Sequence, residues 1–160
     1  MDEKLQTLLN DQVNNEYGAA AIYTQLAYEM ANLSFPGMSA WFFKQAEEER
    51  EHAEKFAEHL LDRGYRVELE TIEVGAVKAA TPLDAFEASL EHEQKVSEQI
   101  REIVRTADSV GDLDSRQLLN WFLDEQVEEE ANVSGVIDQL KLVGNDGAGL
   151  LNIDSTLAER

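Results

Sequence analysis

The sequence predicts an all-α protein, namely a four-helix bundle followed by a short fifth helix. Four long segments carry apolar residues at helical spacing. The links inside the first and second pairs are short, whereas the link between the pairs is long enough to run the length of a bundle. We therefore expect two antiparallel hairpins joined by one crossover, in a single domain over residues 1–160. The bundle should occupy about 2–143 and the fifth helix about 147–158.

The first hairpin is bounded by ordinary helix signals. Its first helix is predicted from about Asp2 to Asn32. Pro36 suits the first turn of the second helix, because proline lacks the N–H that a first turn leaves unpaired anyway. The second helix should run to about Arg63 and stop at Gly64, since glycine tolerates the left-handed backbone that often follows a helix.

The second hairpin follows a segment without helical period. Residues 65–80 alternate apolar and polar side chains, and we interpret them as an extended crossover because a single strand without a partner is marginal. The third helix should begin with Thr81 as N-cap and Pro82 in its first turn, and should end at Gly111.

The fourth helix is predicted to start near Asp114, with Gln117 closing a capping box, and to end at Gly144. The tail after it is short and amphipathic. A bundle that is already complete should not bury the apolar side chains of this tail, so we expect them to contact other subunits. These side chains are Leu150, Leu151, Ile153 and Leu157.

The composition excludes several classes of function. The formal charge is −20, from 33 acidic and 13 basic residues, which disfavours nucleic acid and anionic membranes as partners. There is no cysteine, so cysteine-ligated zinc, iron–sulfur clusters and rubredoxin-type iron are excluded. The first residues do not resemble a signal peptide. We therefore expect a cytoplasmic protein that attracts cations.

Each predicted helix of the bundle carries one glutamate on its otherwise apolar face: Glu16, Glu49, Glu93 and Glu129. His52 lies one turn after Glu49 on the same face. All four carboxylates should lie roughly 20–25 Å from the hairpin turns, at about 1.5 Å per residue, and so at one level. Four buried carboxylates are untenable without a positive partner, and no lysine or arginine shares these faces. The pattern predicts a metal site.

The charge count indicates two metal ions, because four carboxylates balance two divalent cations. Oxygen donors with one imidazole suit iron or manganese better than a soft metal. The expected ligands are Glu16, Glu49 and His52 at one position and Glu93 and Glu129 at the other, with Glu49 bridging and Gln126 nearby.

At these residues the chain resembles the non-haem ferritins of bacteria and archaea. The matching segments are Asn15-Glu16-Tyr17, Ala20-Ala21, Tyr23, Glu47-Glu48-Glu49-x-x-His52-Ala53, Glu93, and Trp121-Phe122-x-x-Glu125-Gln126-Val127-Glu128-Glu129. The resemblance implies a ferritin-like fold and the ferroxidase reaction. In that reaction O2 or H2O2 oxidises two Fe(II), and the Fe(III) is stored as mineral inside a shell of 24 subunits. Iron storage and detoxification is the function implied.

The resemblance also implies further site residues. Tyr23 matches the tyrosine beside the di-iron pair, where it is either an electron donor or a core aromatic. A third iron would bind Glu48, Glu125 and Glu128 and share Glu129; the alternative for the exposed acids is a solvated face. Arg50 stands where the similar bacterioferritins carry a haem-binding methionine, so no haem is expected.

Two alternatives remain open from the sequence. One is a haem-free protein similar to bacterioferritin or to a di-iron peroxidase. The other is a non-catalytic acidic bundle that only binds cations. A test of accelerated Fe(II) oxidation separates the second alternative from a ferroxidase.

Overall fold

The computed structural model describes residues 1–160 and consists of helices joined by turns and one long crossover. The five helices are α1 Glu3–Asn32, α2 Pro36–Asp62, α3 Pro82–Val110, α4 Arg116–Val143 and α5 Gly147–Leu157. The predicted all-α fold class and hairpin topology are confirmed, and 65–80 contains no strand. None of the helices combines the length and the apolar character needed to cross a lipid bilayer.

Local signals end most helices where the sequence predicts. Asp2 caps α1 by accepting the backbone N–H groups of its first turn. Gly64 follows α2 in the left-handed region at φ 79°. Thr81 and Asp84 form a reciprocal capping box at the start of α3, and Gly111 ends that helix at φ 68°. These caps satisfy backbone groups that a helix terminus leaves unpaired.

The start of α4 lies within two residues of the predicted Asp114, but the predicted capping box closed by Gln117 is wrong. The helix begins at Arg116, and Ser115 makes no side-chain bond to the first turn. The Ser115 hydroxyl instead donates to Asp112 in the preceding turn. Tertiary contacts thus displaced the local capping signal.

Those contacts come from the end of α2. Arg63 binds Asp112 through both terminal nitrogens, at 2.9 and 2.7 Å. His59 Nε2 lies 2.9 Å from Ser115 Oγ. A bidentate pair between a guanidinium and a carboxylate has fixed geometry, so this group sets the α3–α4 turn against α2.

The apolar core is divided into two clusters by a polar layer. One cluster includes Tyr23, Phe42 and Phe86, and the other includes Phe56 and Phe122. The two rings of the second cluster stack with centroids 4.1 Å apart. Because every helix contributes to both clusters except α5, the bundle holds the helix faces in register across the layer between them.

Helix α5 docks across the start of α2. Asp154 accepts the Met38 N–H at 2.7 Å, which supplies the N-terminal cap that α2 lacks from its own side chains. A Cβ atom on Gly37 would lie 1.8 Å from the Asp154 carbonyl oxygen, so only glycine permits this approach. The expectation that the bundle cannot bury the α5 side chains is wrong for Ile153, which joins the core, whereas Leu151 stays 61% exposed.

Candidate metal centre

The polar layer contains the five side chains expected there. Glu16, Glu49, His52, Glu93 and Glu129 are all at most 4% exposed. Each stands on a helix face whose neighbours one turn away belong to one or the other apolar cluster. The packing that buries those neighbours also buries the carboxylates. This is why the sequence can force acids into a core that their solvation would oppose.

His52 is shared by two groups of potential metal ligands. One atom from each of Glu16, Glu49 and His52 lies within 4.8 Å of the others, and the same holds for His52, Glu125 and Glu129. The imidazole Nδ1 lies 3.2 Å from Glu49 Oε2, and Nε2 lies 3.7 Å from Glu125 Oε1. The two groups meet at one imidazole and continue toward the surface through Glu125.

Two glutamines on neighbouring helices donate to the carboxylates. Gln12 Nε2 donates to Glu16 Oε1 at 2.8 Å. Gln45 Nε2 donates to Glu49 Oε1 at 3.2 Å and to Glu129 Oε2 at 2.8 Å. An amide NH2 carries partial positive charge, so these groups offset part of the carboxylate repulsion in the metal-free protein.

The Glu93 carboxylate is held from both sides. Gln126 Nε2 donates to its Oε2 at 3.1 Å, and the Tyr23 hydroxyl donates to its Oε1. Ser89 in turn donates to the Tyr23 oxygen at 3.1 Å. Tyr23 is fully buried beside these carboxylates, which is the position that the resemblance to non-haem ferritins implies for it.

Burial and mutual repulsion shift the protonation of the layer. Burial, reinforced by Glu49, raises the pKa of Glu16 well above its usual range and that of Glu93 to about 8. The same two causes raise the pKa of Glu129 to about 7. Burial opposes ionisation of Glu49 and His52 too, but their mutual contact outweighs it, lowering the pKa of Glu49 and raising that of His52.

The layer suits divalent cations because a buried carboxylate oxygen has no hydrogen-bond donor. Glu16 Oε2 is buried without a hydrogen-bond partner. No lysine or arginine hydrogen bonds to any of the four central carboxylates. A site that combines oxygen donors with one imidazole matches iron or manganese, and cations there would remove the repulsion that raises these pKa values.

The residues expected to hold a third metal are only partly brought together. Glu125 joins His52 and Glu129 in one ligand group. Glu48 is half-buried and ion-paired with an arginine, and Glu128 is exposed. Burial raises the pKa of Glu125, with Glu128 and Glu48 contributing repulsion. The three acids are therefore neighbours, but Glu48 already has a cationic partner.

The sequence assigned no role to the amides of Gln12 and Gln45, which hydrogen bond to the site carboxylates. A signal was present, because each stands four residues before a site glutamate. That spacing puts the two side chains together on one helix face. Nothing in the sequence pointed to Arg160, which contacts Gln45.

Comparison with protein families and curated proteins gives one answer. Residues 6–143 match the family model for the ferritin-like domain. The bacterial non-heme ferritin of Bacteroides fragilis is 34% identical over 160 residues, covering 100% of this chain and 99% of that protein. The bacterial non-heme ferritin of Staphylococcus epidermidis is 35% identical, covering 100% of this chain and 96% of its own.

Solved structures agree with the sequence relatives. The open pore ferritin of the hyperthermophilic archaeon Archaeoglobus fulgidus superposes with a TM-score of 0.97 at 36% identity, over 100% of this chain and 98% of that one. A humanized archaeal ferritin superposes with a TM-score of 0.98 at 35% identity, over 100% and 97% of the two chains. A buried layer of carboxylates inside this bundle and full-length similarity to non-heme ferritins lead to one conclusion: the chain belongs to the ferritin family.

Proposed function

We propose that this protein is a ferroxidase that oxidises Fe(II) inside the bundle and stores the Fe(III) as mineral. The observation that carries the proposal is the layer of four buried carboxylates and one imidazole, with an unpaired oxygen on Glu16. A passive structural role does not explain this arrangement, because burying unpaired acids costs free energy.

The donors divide into two iron positions, with Fe(II) as substrate. Glu16 and His52 would bind one ion, and Glu93 and Glu129 the other. Glu49 would bridge them, because it contacts His52 on one side and shares the Gln45 amide with Glu129 on the other. Two Fe(II) supply two electrons, which with two protons reduce O2 to H2O2 or H2O2 to two waters.

Tyr23 supports the second position. Its hydroxyl donates to Glu93, which orients that carboxylate toward the layer. Burial, reinforced by Glu93, raises the pKa of Tyr23 well above its usual value, so the hydroxyl stays protonated. We assign it a positioning role. The resemblance to non-haem ferritins also implies that Tyr23 gives an electron to the oxidant, in which case its phenolic proton passes to its hydrogen-bond acceptor Glu93.

The third iron position belongs to the same proposal. Glu125 extends the layer outward from His52, and Glu129 is common to both parts. Glu48 and Glu128 would complete this position from the partly exposed side. It should bind iron more weakly than the pair, because its donors are more hydrated and lack a dedicated imidazole.

The proposal is tested with Glu49→Ala and His52→Ala, and with Glu51→Ala as matched control on the exposed face of the same helix. Both site variants should lose rapid Fe(II) oxidation, followed by absorbance of the ferric product, while circular dichroism shows intact helices. The control should oxidise Fe(II) like the unmodified protein. Unmodified rates in a folded Glu49→Ala variant would refute the di-iron assignment.

Assembly into a shell of 24 subunits is part of the proposal. Large apolar side chains remain exposed on the isolated subunit, including Leu113 at 70%, Val127 at 71% and Leu142 at 89%. Contiguous exposed apolar area is typical of contact surfaces, and the proposal assigns these side chains to contacts between subunits. Light scattering should show a particle of several hundred kDa; a monomer or a 12-mer would contradict the shell.

We also propose that the shell binds no stoichiometric haem. Arg50 is exposed and carries a guanidinium, which donates hydrogen bonds only and cannot be an axial iron ligand. A Soret band at one haem per two subunits in purified protein would contradict this.

A further inference from the structure

Arg160 lies beyond the end of α5, and its side chain contacts residues at the edge of the polar layer. Its Nη2 donates to Glu48 Oε2 at 2.5 Å, and its Nη1 donates to Gln45 Oε1 at 2.9 Å. The guanidinium also lies over the Trp41 ring, 4.6 Å from the centroid. The Arg160 and Glu48 side chains are only 25% and 27% exposed. Three partners therefore fix the guanidinium in one place.

The contact with Gln45 determines how that amide faces the site. A guanidinium has no acceptor, so the Gln45 oxygen must point toward Arg160. The NH2 group then points the other way, where it donates to Glu49 and to Glu129. Arg160 thereby holds a hydrogen-bond donor against the two carboxylate oxygens that a cation would bind.

We propose that Arg160 is a positioning residue that competes with a cation at the third position. Its guanidinium is ion-paired with the Glu48 carboxylate. Through Gln45 it also keeps an amide donor hydrogen-bonded to Glu129, which the third position shares with the central pair. A cation at the third position must displace this contact before Glu48 becomes available. This inference rests on the proposed third position, and it adds a built-in competitor to it.

The consequence is a graded affinity within one site. Gln45 offers the carboxylates of the central pair only a neutral amide, whereas Glu48 is ion-paired with Arg160 itself, so the central pair fills first. The third position fills only after Arg160 moves, and its release frees the Gln45 amide as well. Because the Arg160–Glu48 pair is partly exposed, its removal should tighten binding of the third cation by roughly fivefold.

The test uses Zn2+ as a redox-inert probe and the full chain in its assembled, metal-free form. Isothermal titration is compared for the unmodified protein, Arg160→Gln, Arg160→Lys and Arg105→Gln. Arg105 pairs with Glu98 on the exposed face of α3, so Arg105→Gln reproduces the charge change away from the site. Lysine at position 160 keeps the charge but lacks the planar fork that holds two partners.

We expect Arg160→Gln to bind the third Zn2+ roughly fivefold more tightly, Arg160→Lys to fall between, and Arg105→Gln to match the unmodified protein. The first two Zn2+ should bind with unchanged stoichiometry throughout. An unchanged third affinity in Arg160→Gln, or the same gain in Arg105→Gln, would overturn the inference. Absence of the first two Zn2+ from every protein would instead refute the proposed function.

Trp41 provides an independent readout of the guanidinium. In a Trp121→Phe background it is the remaining tryptophan, and Arg160 lies over its ring. Its emission should change when the third equivalent of Zn2+ binds, and this change should be absent in Arg160→Gln. If the Trp41 emission of the protein that retains Arg160 does not change on addition of the third equivalent of Zn2+, the guanidinium does not move, contrary to the inference.

Discussion

Replacing Glu93 with glutamine removes one negative charge from the buried layer and keeps the shape of the side chain. The amide oxygen still accepts from Gln126, and its NH2 group faces the Tyr23 oxygen, whose hydroxyl turns toward Ser89. Hydrogen bonding therefore stays nearly complete. The main change is electrostatic, so the metal-free variant should be more stable than the unmodified protein at alkaline pH.

The magnitude follows from the difference between the ordinary pKa of 4.5 and the folded value of about 8. A raised folded pKa contributes stability that is fully present below the unfolded pKa and lost as pH rises through the folded one. At about 1.4 kcal/mol per pKa unit, the loss has an upper limit on the order of 5 kcal/mol. Rearranged hydrogen bonds offset about 1 kcal/mol, so we expect a gain of about 3–4 kcal/mol at pH 9.

The assay is denaturant unfolding of metal-free protein, with chelator present, at pH 5 and pH 9. Glu91→Gln is the matched control, since Glu91 is exposed on the same helix. The other titratable groups of the layer are the same in Glu93→Gln and in the unmodified protein, namely Glu16, Glu49, Glu129 and His52. The difference in free energy of unfolding between the two proteins therefore reports the Glu93 carboxylate alone. The gain should appear at pH 9 and be small at pH 5.

Two results would refute this reasoning. One is a Glu93→Gln variant that is no more stabilised at pH 9 than at pH 5. The other is an equal gain in Glu91→Gln, which would trace the effect to the overall charge of −20 rather than to burial. The same Glu93→Gln variant should oxidise Fe(II) more slowly, because its amide is a weaker metal ligand than a carboxylate.

Other parts of the molecule give further predictions. Gly37→Ala should detach α5, because the new Cβ would overlap the Asp154 carbonyl, and α5 should then be cleaved by protease. Asp154→Ala removes only the cap on Met38, so it should lower the free energy of unfolding by about 1 kcal/mol, measured by thermal unfolding. Asp112→Asn should destabilise the protein by about 1 kcal/mol at pH 7; because Arg63 lowers the pKa of Asp112, this difference should disappear as pH falls through the folded pKa. Glu128→Ala should change the number of Fe(II) oxidised per O2 without stopping the first turnover, measured with an oxygen electrode; an unchanged ratio, with two metal peaks per subunit in an iron-soaked crystal, would exclude the third position.

Local signals in the sequence were enough for most helix bounds and for the buried acids of the polar layer. Apolar spacing of 3.6 residues identifies a buried face, and an acid on that face is conspicuous because its burial is costly. Glu16, Glu49, Glu93 and Glu129 could therefore be found without coordinates. Equal distances from two short turns placed them at one level, since helix rise per residue is constant.

The missing side-chain cap of α4, the docking of α5 and the Arg160 contact were decided only by tertiary structure. Ser115 hydrogen bonds to Asp112 and contacts His59, which is distant in the sequence. Capping rules consider only neighbours along the chain, so they cannot predict such a partner. Arg160 meets Glu48 across a sequence separation of 112 residues. Hydrophobic periodicity reports which face of a helix is buried, but which polar side chains meet depends on how separate helices pack against one another.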